Sequence, residues 1–152
     1  MCFPMMVVSY NYRGLAIPMK KSSLKKLVES LNLDIVFLQE TMGDYITIKA
    51  ALESLSVGWS FVAVDARGRP GRLATGWKVR SCRAENVWGF GLSLGVDLFY
   101  EDLGKSLSLI NFYGPYQDKV PFWEGLLRRS FMAIESLILG GDLNFYLGVA
   151  EC

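Results

Sequence analysis

Histidine is absent from this chain, and that absence removes more chemistry than any other feature of its composition. Histidine is the usual general acid and base near neutral pH and a common metal ligand. Ser-His-Asp, Cys-His and histidine–zinc centres are therefore excluded within these 152 residues. Any catalysis must draw on carboxylates, amides, tyrosine, lysine and a hard cation. Cysteine is scarce as well. Cys2, Cys82 and Cys152 are odd in number and far apart, so neither a zinc spacing nor a disulfide framework is present, and a reducing compartment fits best. A dominant charge is also lacking: 16 basic and 15 acidic residues leave a net charge of +1. That supplies no broad basic field to advertise a nucleic-acid partner. No uncharged apolar run is long enough to cross a bilayer. The short apolar stretch at the N-terminus has no basic segment before it, so no signal peptide is expected. The expected location is nuclear or cytoplasmic.

Apolar residues, by contrast, are plentiful. Hydrophobic content is 51% and mean hydropathy is +0.25, somewhat rich for a free-standing domain. This implies a large core or a surface that expects a covering partner. The length suits one domain or part of one, with no internal repeat, low-complexity tract or linker. Local basic clusters (Lys20, Lys21, Lys25 and Lys26, then Arg67, Arg69 and Arg72) read as solvated faces or loops. Trp59, Trp77, Trp88 and Trp123 lie in apolar-patterned stretches and read as core rather than as base-stacking platforms.

The apolar pattern predicts strands at residues 5–11, 34–39, 59–65, 73–79, 86–93, 94–100, 106–113 and 136–141. Ser22 or Ser23 is expected to cap a helix reaching about Asn32, with Leu24, Leu27, Val28 and Leu31 on its inner stripe. A second helix is expected over 45–55, with Tyr45, Ile48, Leu52 and Leu55 inward. A third begins near Asp118 or Val120 with Pro121 in its first turn, and Trp123, Leu126, Leu127 and Phe131 inward. Residues 67–72, rich in glycine, proline and arginine, read as a turn.

Three of the apolar runs end alike. Met6–Tyr10 leads into Asn11, Asp34–Gln39 into Glu40, and Ser136–Gly141 into Asp142. Charged and amide side chains are costly to bury and need a partner or a purpose. In layered α/β folds, sites form beyond the carboxyl ends of strands. Three such ends on one lip would make an oxygen-rich metal site. Taken singly, each residue also has an ordinary reading. Asn11 suits a turn, Glu40 a helix start or the surface, and Tyr113 a core position with a satisfied hydroxyl. Asp142 and Asn144 suit an Asx-turn. Gly140-Gly141 is no phosphate cradle, because no P-loop lysine follows.

Five segments in order resemble the endonuclease/exonuclease/phosphatase superfamily, the DNase I-like proteins. They are Ser9-Tyr10-Asn11-Tyr12-Arg13-Gly14-Leu15, Phe37-Leu38-Gln39-Glu40-Thr41, Gly68-Arg69-Pro70-Gly71-Arg72-Leu73-Ala74, Asn111-Phe112-Tyr113-Gly114-Pro115 and Gly140-Gly141-Asp142-Leu143-Asn144. Arg13-Gly14-Leu15 and Phe122-Trp123-Glu124 are similar to the endonuclease domain of plant non-LTR retrotransposons. The resemblance covers essentially the whole chain but only about the first two thirds of the family domain. Residues 1–152 are therefore expected to be the N-terminal part of one such domain.

The resemblance implies an α/β, four-layer α-β-β-α sandwich, incomplete at its C-terminus. It implies phosphodiester or phosphomonoester cleavage with Mg2+ (or Mn2+). By the same resemblance Glu40 and Asn11 hold metal, and Asn11 and Asn144 lie at the phosphate. Asp142 orients or deprotonates the attacking water, with Asn144 its partner amide, and Tyr113 touches the scissile phosphate. The implied partner is DNA, with no membrane, and the exposed sheet edge implies possible self-association. The sequence departs from the family at Tyr10, where a tryptophan is usual, and at Pro70 and Arg72, where the plant elements carry serine and glycine. The family's closing Asp-Asn or Asp-Asp element and its Ser-Asp-His motif are not found before Cys152. The expectation is thus a DNA-nicking lineage of a retroelement, inactive in this truncated form. A non-catalytic binding remnant, an RNA exonuclease and a phosphatase of lipid headgroups stand as alternatives.

Overall fold

Short apolar runs and three helical segments fold this chain into stacked sheets with helices on the outside. A computed structural model describes residues 4–14, 18–42, 45–54, 57–64, 73–80, 82–128 and 134–144. The elements, in order, are β1 (Val7–Asn11), α1 (Pro18–Ser30), β2 (Ile35–Gln39), α2 (Tyr45–Glu53), β3 (Trp59–Val64) and β4 (Leu73–Lys78). Then come β5 (Cys82–Phe90), β6 (Ser93–Tyr100), a short 3-10 turn at Glu101–Leu103, β7 (Lys105–Tyr113), α3 (Lys119–Leu127) and β8 (Leu137–Asp142). Among the described residues one sheet runs β1-β2-β4-β3 and the other β5-β6-β7-β8. The β1–β2 and β7–β8 pairs are parallel, and the remaining pairs are antiparallel.

Strand β2 is buried at every position, as a continuous apolar run requires of a strand covered on both faces. Its odd and even side chains go opposite ways. Val36 and Leu38 pack with Leu24 and Val28 of α1 and with Ile48 and Leu52 of α2. Ile35 and Phe37 pack with Val96, Leu98 and Leu109 of the second sheet. On the far side of that sheet Ile110 meets Leu126 of α3, and the Phe112 ring lies edge-on to Trp123 at 5.5 Å. The layer order is helices, sheet, sheet, helix: the four-layer sandwich. Fully burying a Leu or Phe stabilises by about 1.5–3 kcal/mol, and Phe37, Leu98 and Leu109 do so where the two sheets meet. Trp77 is buried; Trp59, Trp88 and Trp123 are half-buried, packed on Phe61, Gly95 and Phe112 respectively.

Several boundaries differ from expectation. Helix α1 starts at Pro18, whose fixed φ suits a first helical turn. Ser22 and Ser23 therefore sit inside the helix and cap nothing; the Ser23 hydroxyl donates back to Met19 O at 3.0 Å, the local bond mid-helix serines make. The helix ends at Ser30, which leaves Leu31 exposed in the turn beyond it. Strand β5 runs Cys82–Phe90 rather than over 86–93, with a bulge between Ala84 and Asn86. In the nine-residue α3, Leu126 is buried but Leu127 is exposed, because one residue is a 100° step around a helix. Asp118 stands at the start of α3 with φ 53° and no side-chain cap bond. The side chain of Tyr45, and Leu55, Arg67, Arg69, Pro70, Arg72, Phe131 and Cys152, lie outside the described residues. Among the described residues no helix is long and apolar enough to cross a membrane.

Candidate functional site

Parallel pairing brings strand ends of like polarity together, and here it does so twice. Asn11 stands opposite Gln39, just before Glu40. Tyr113 stands opposite Asp142. The sheets stack with β1 against β8, so both pairs end on one lip.

The side chains converge there. Asn11 Nδ2 donates to Glu40 Oε1 at 3.1 Å and to Asp142 Oδ2 at 2.6 Å. The Tyr113 hydroxyl donates to Glu40 Oε1 at 2.6 Å. The Asn144 backbone N–H donates to Asp142 Oδ1 at 3.0 Å, while the Asn144 side chain donates to Gly114 O at 2.5 Å. Four of the five expected side chains thus meet directly, and Asn144 joins through its backbone. Burial pushes the Tyr113 hydroxyl well above the usual tyrosine value, and its bonds to Glu40 and Tyr116 push the same way. Tyr113 is therefore a proton donor and no base at neutral pH.

The backbone here is strained. Arg13 (φ 42°), Glu40 (φ 52°) and Asn144 (φ 49°) all lie in the left-handed region, at about 1–3 kcal/mol each. Straps hold them. Tyr12 N–H donates to Gln39 O at 2.9 Å, Gly14 N–H to Glu40 O at 2.8 Å, and Gly114 N–H to Asp142 O at 2.6 Å. The ammonium of Lys20 donates to the carbonyls of Tyr12 and Arg13. Gly140 and Gly141 let β8 approach. A Cβ on Gly140 would lie 2.3 Å from the Phe37 ring, and one on Gly141 would lie 2.0 Å from Phe112 O.

Sequence reasoning missed four residues of this region. Tyr116 is exposed, with its hydroxyl 2.8 Å from that of Tyr113. Tyr113 has one proton and gives it to Glu40, so Tyr116 is the donor. Arg13 Nε lies 3.8 Å from Glu40 Oε2. Beneath the lip, fully buried Asn111 accepts from Gln39 Nε2 at 2.8 Å and donates to Leu38 O and Ala74 O at 3.1 and 2.9 Å, stitching the two sheets together. Gln39 also donates to Ser9 Oγ at 3.2 Å. The available signal for Gln39 and Asn111 was an amide on the inward face of an otherwise apolar strand, which demands partners.

The donor set is suited to a hard cation. Among the described residues no group of three or more His, Cys, Asp and Glu side chains could hold a metal. Mg2+, however, keeps several waters and needs only one or two carboxylates. Glu40 and Asp142 provide these. Asn11 Oδ1 is buried and has no hydrogen-bond partner among the described residues, an oxygen in want of one.

No family model and no curated protein matches the sequence. Solved structures match the fold. The fold is DNase I-like. The catalytic domain of human nocturnin, with bound sulfate, superposes at TM-score 0.71 and 13% identity, over 94% of this chain and 65% of that one. The AP endonuclease of Leishmania major gives 0.68 and 20%, over 95% and 59%. The endonuclease domain of TRAS1, a telomere-specific non-LTR retrotransposon, gives 0.68 and 15%, over 94% and 60%. This DNase I-like chain thus spans less than two thirds of the length of each.

Proposed function

We propose that this lip is a divalent-cation-dependent phosphodiester-hydrolase centre, descended from a DNA-nicking endonuclease of a retroelement. One observation carries the reading. The Asn11 amide bridges the carboxylates of Glu40 and Asp142 while its own buried oxygen has no partner among the described residues. Glu40 and Asn11 would hold Mg2+ or Mn2+. When bound, such an ion polarises a phosphoryl oxygen and stabilises developing charge. Asp142, both of whose oxygens are anchored, orients or deprotonates a water. Tyr113, whose one proton goes to Glu40, and Asn144 would stand against the phosphate. DNA as partner is supported by the nuclease folds this chain shares.

Turnover in this 152-residue chain is weak, since no histidine is present to complete the acid–base work. Losing one electrostatic donor in such sites costs roughly 100–1000-fold. The test is nicking of supercoiled plasmid with Mg2+ or Mn2+, against EDTA and against Glu40→Gln. We expect nicking at the limit of detection, with any residue of it metal-dependent and lost in Glu40→Gln. Nicking that survives EDTA or Glu40→Gln would overturn the site. Rapid metal-dependent nicking would overturn only the claim of weak turnover.

A second reading has its own observation. Strands β1 and β8 are sheet edges among the described residues. Met5, Met6, Tyr10, Leu139 and Leu143 are exposed beside them. Open apolar edges template association with another chain. Light scattering over a micromolar concentration series tests this: a strict monomer refutes it, and association abolished by Leu139→Lys supports it.

A further inference from the structure

We propose that Arg13 is the phosphate-contact residue of this site, held on Glu40 when the site lacks a cation and turned to a nucleic-acid phosphodiester when one is bound. This rests on the cation reading above.

The two oxygens of Glu40 have different partners. Oε1 is taken by Asn11 Nδ2 and by the Tyr113 hydroxyl. Oε2 faces Arg13 Nε at 3.8 Å. Oε2 is thus the oxygen left for a cation, and a guanidinium already stands at it. The side chain of Arg13 is 78% exposed and that of Glu40 only 15%, so the positive group sits at the mouth and the carboxylate within.

The backbone holds Arg13 in this place. Its φ of 42° is strained for a residue with a side chain. It is flanked by the Tyr12–Gln39 and Gly14–Glu40 bonds, and Lys20 caps its carbonyl. An arginine that served only to solubilise the surface would need none of this. An ion pair this exposed is weak, so a dication at Oε2 displaces the guanidinium easily. Tethered at Arg13 Cα, it stays at the mouth. A phosphodiester carried to the site then meets a planar fork of N–H donors matched to two phosphate oxygens. Lysine in the same place would offer only a point charge.

Two titrations on the folded chain separate the possibilities, each with Arg13→Gln and Arg13→Lys. The first follows Mn2+ by the electron-spin-resonance signal of the free ion. The second follows a labelled short oligothymidylate by fluorescence anisotropy at saturating Mn2+. Arg13→Gln should bind Mn2+ about 2- to 5-fold more tightly, because a competing charge is gone. It should bind the oligonucleotide about 10-fold more weakly, for loss of a charge-assisted hydrogen bond. Arg13→Lys should leave Mn2+ binding near wild type and recover part of the oligonucleotide affinity. Weaker Mn2+ binding in Arg13→Gln would mark the residue as a mere support of the site and overturn the inference. So would oligonucleotide binding indifferent to Arg13, which leaves the cation reading standing. A wild-type chain that binds no Mn2+ removes the cation reading and this inference together.

Discussion

Asn111→Ala should destabilise this protein by about 3–4 kcal/mol. Asn111 is 0% exposed, on the face of β7 that looks into the first sheet. Its oxygen accepts from Gln39 Nε2 at 2.8 Å, and its nitrogen donates to Ala74 O at 2.9 Å and Leu38 O at 3.1 Å. Three good buried hydrogen bonds at about 0.5–1.5 kcal/mol each give roughly 3 kcal/mol net, and the void left by the amide adds to it. Against a usual total of about 5–15 kcal/mol this is a large fraction. The isosteric Asn111→Asp sharpens the test. It keeps the shape but turns an oxygen toward two carbonyls, so the carboxyl must keep its proton to stay. Its folded pKa then lies above its unfolded value of about 3.9. The variant's stability is therefore fully present below that value and is lost as pH rises through the folded pKa. Urea unfolding followed by tryptophan fluorescence, at pH near 4 and near 7 and referred to wild type at each pH, reads both effects. A loss below about 1 kcal/mol for Asn111→Ala, or a pH-indifferent Asn111→Asp, would refute the view that this amide stitches the sheets beneath the site.

Gly141→Ala should cost about 3 kcal/mol by chemical denaturation, since its Cβ would fall 2.0 Å from Phe112 O, a backbone atom that cannot step aside. Gly125→Ala in α3, where a Cβ meets nothing within 4 Å among the described residues, should do the opposite and stabilise by about 0.5–1 kcal/mol. Burial, then nearby Cys82 and Asp34, push the Tyr100 hydroxyl from 10.0 to about 12. Its stabilisation is therefore complete below pH 10 and lost between pH 10 and 12. In melting curves at pH 8 and pH 11, Tyr100→Phe should lose less than wild type on going alkaline, and an equal loss contradicts the assignment.

The layers were legible because β-branched apolar runs and helical stripes are strong, local signals. Val36 against the helices and Phe37 against the other sheet follow from period two alone. The ends of elements were less so. Pro18 outcompetes Ser22 and Ser23 as a start signal because a fixed φ acts without any partner. Leu126 and Leu127 are both apolar, and only the phase of α3, a 100° step per residue, decides which one is buried. At the site, motif order pointed to Asn11, Glu40, Tyr113 and Asp142, and these four do meet. Asn144 was legible as a neighbour but not in its posture, because its side chain turns to Gly114 O. Tyr116 and Arg13 stayed hidden because surface side chains carry no periodic signal. The approach of Arg13 to Glu40 depends on the positive φ of both residues, which no spacing rule encodes.

The central claim is that four strand ends build one cation pocket around Glu40. Stoichiometric Mn2+ titration of the wild-type chain beside Glu40→Gln tests it most directly. The account predicts a single saturable site in the wild type that is weakened at least about 10-fold in Glu40→Gln, with the melting temperature of the metal-free chain little changed. No saturable binding, or binding indifferent to Glu40→Gln, would contradict it.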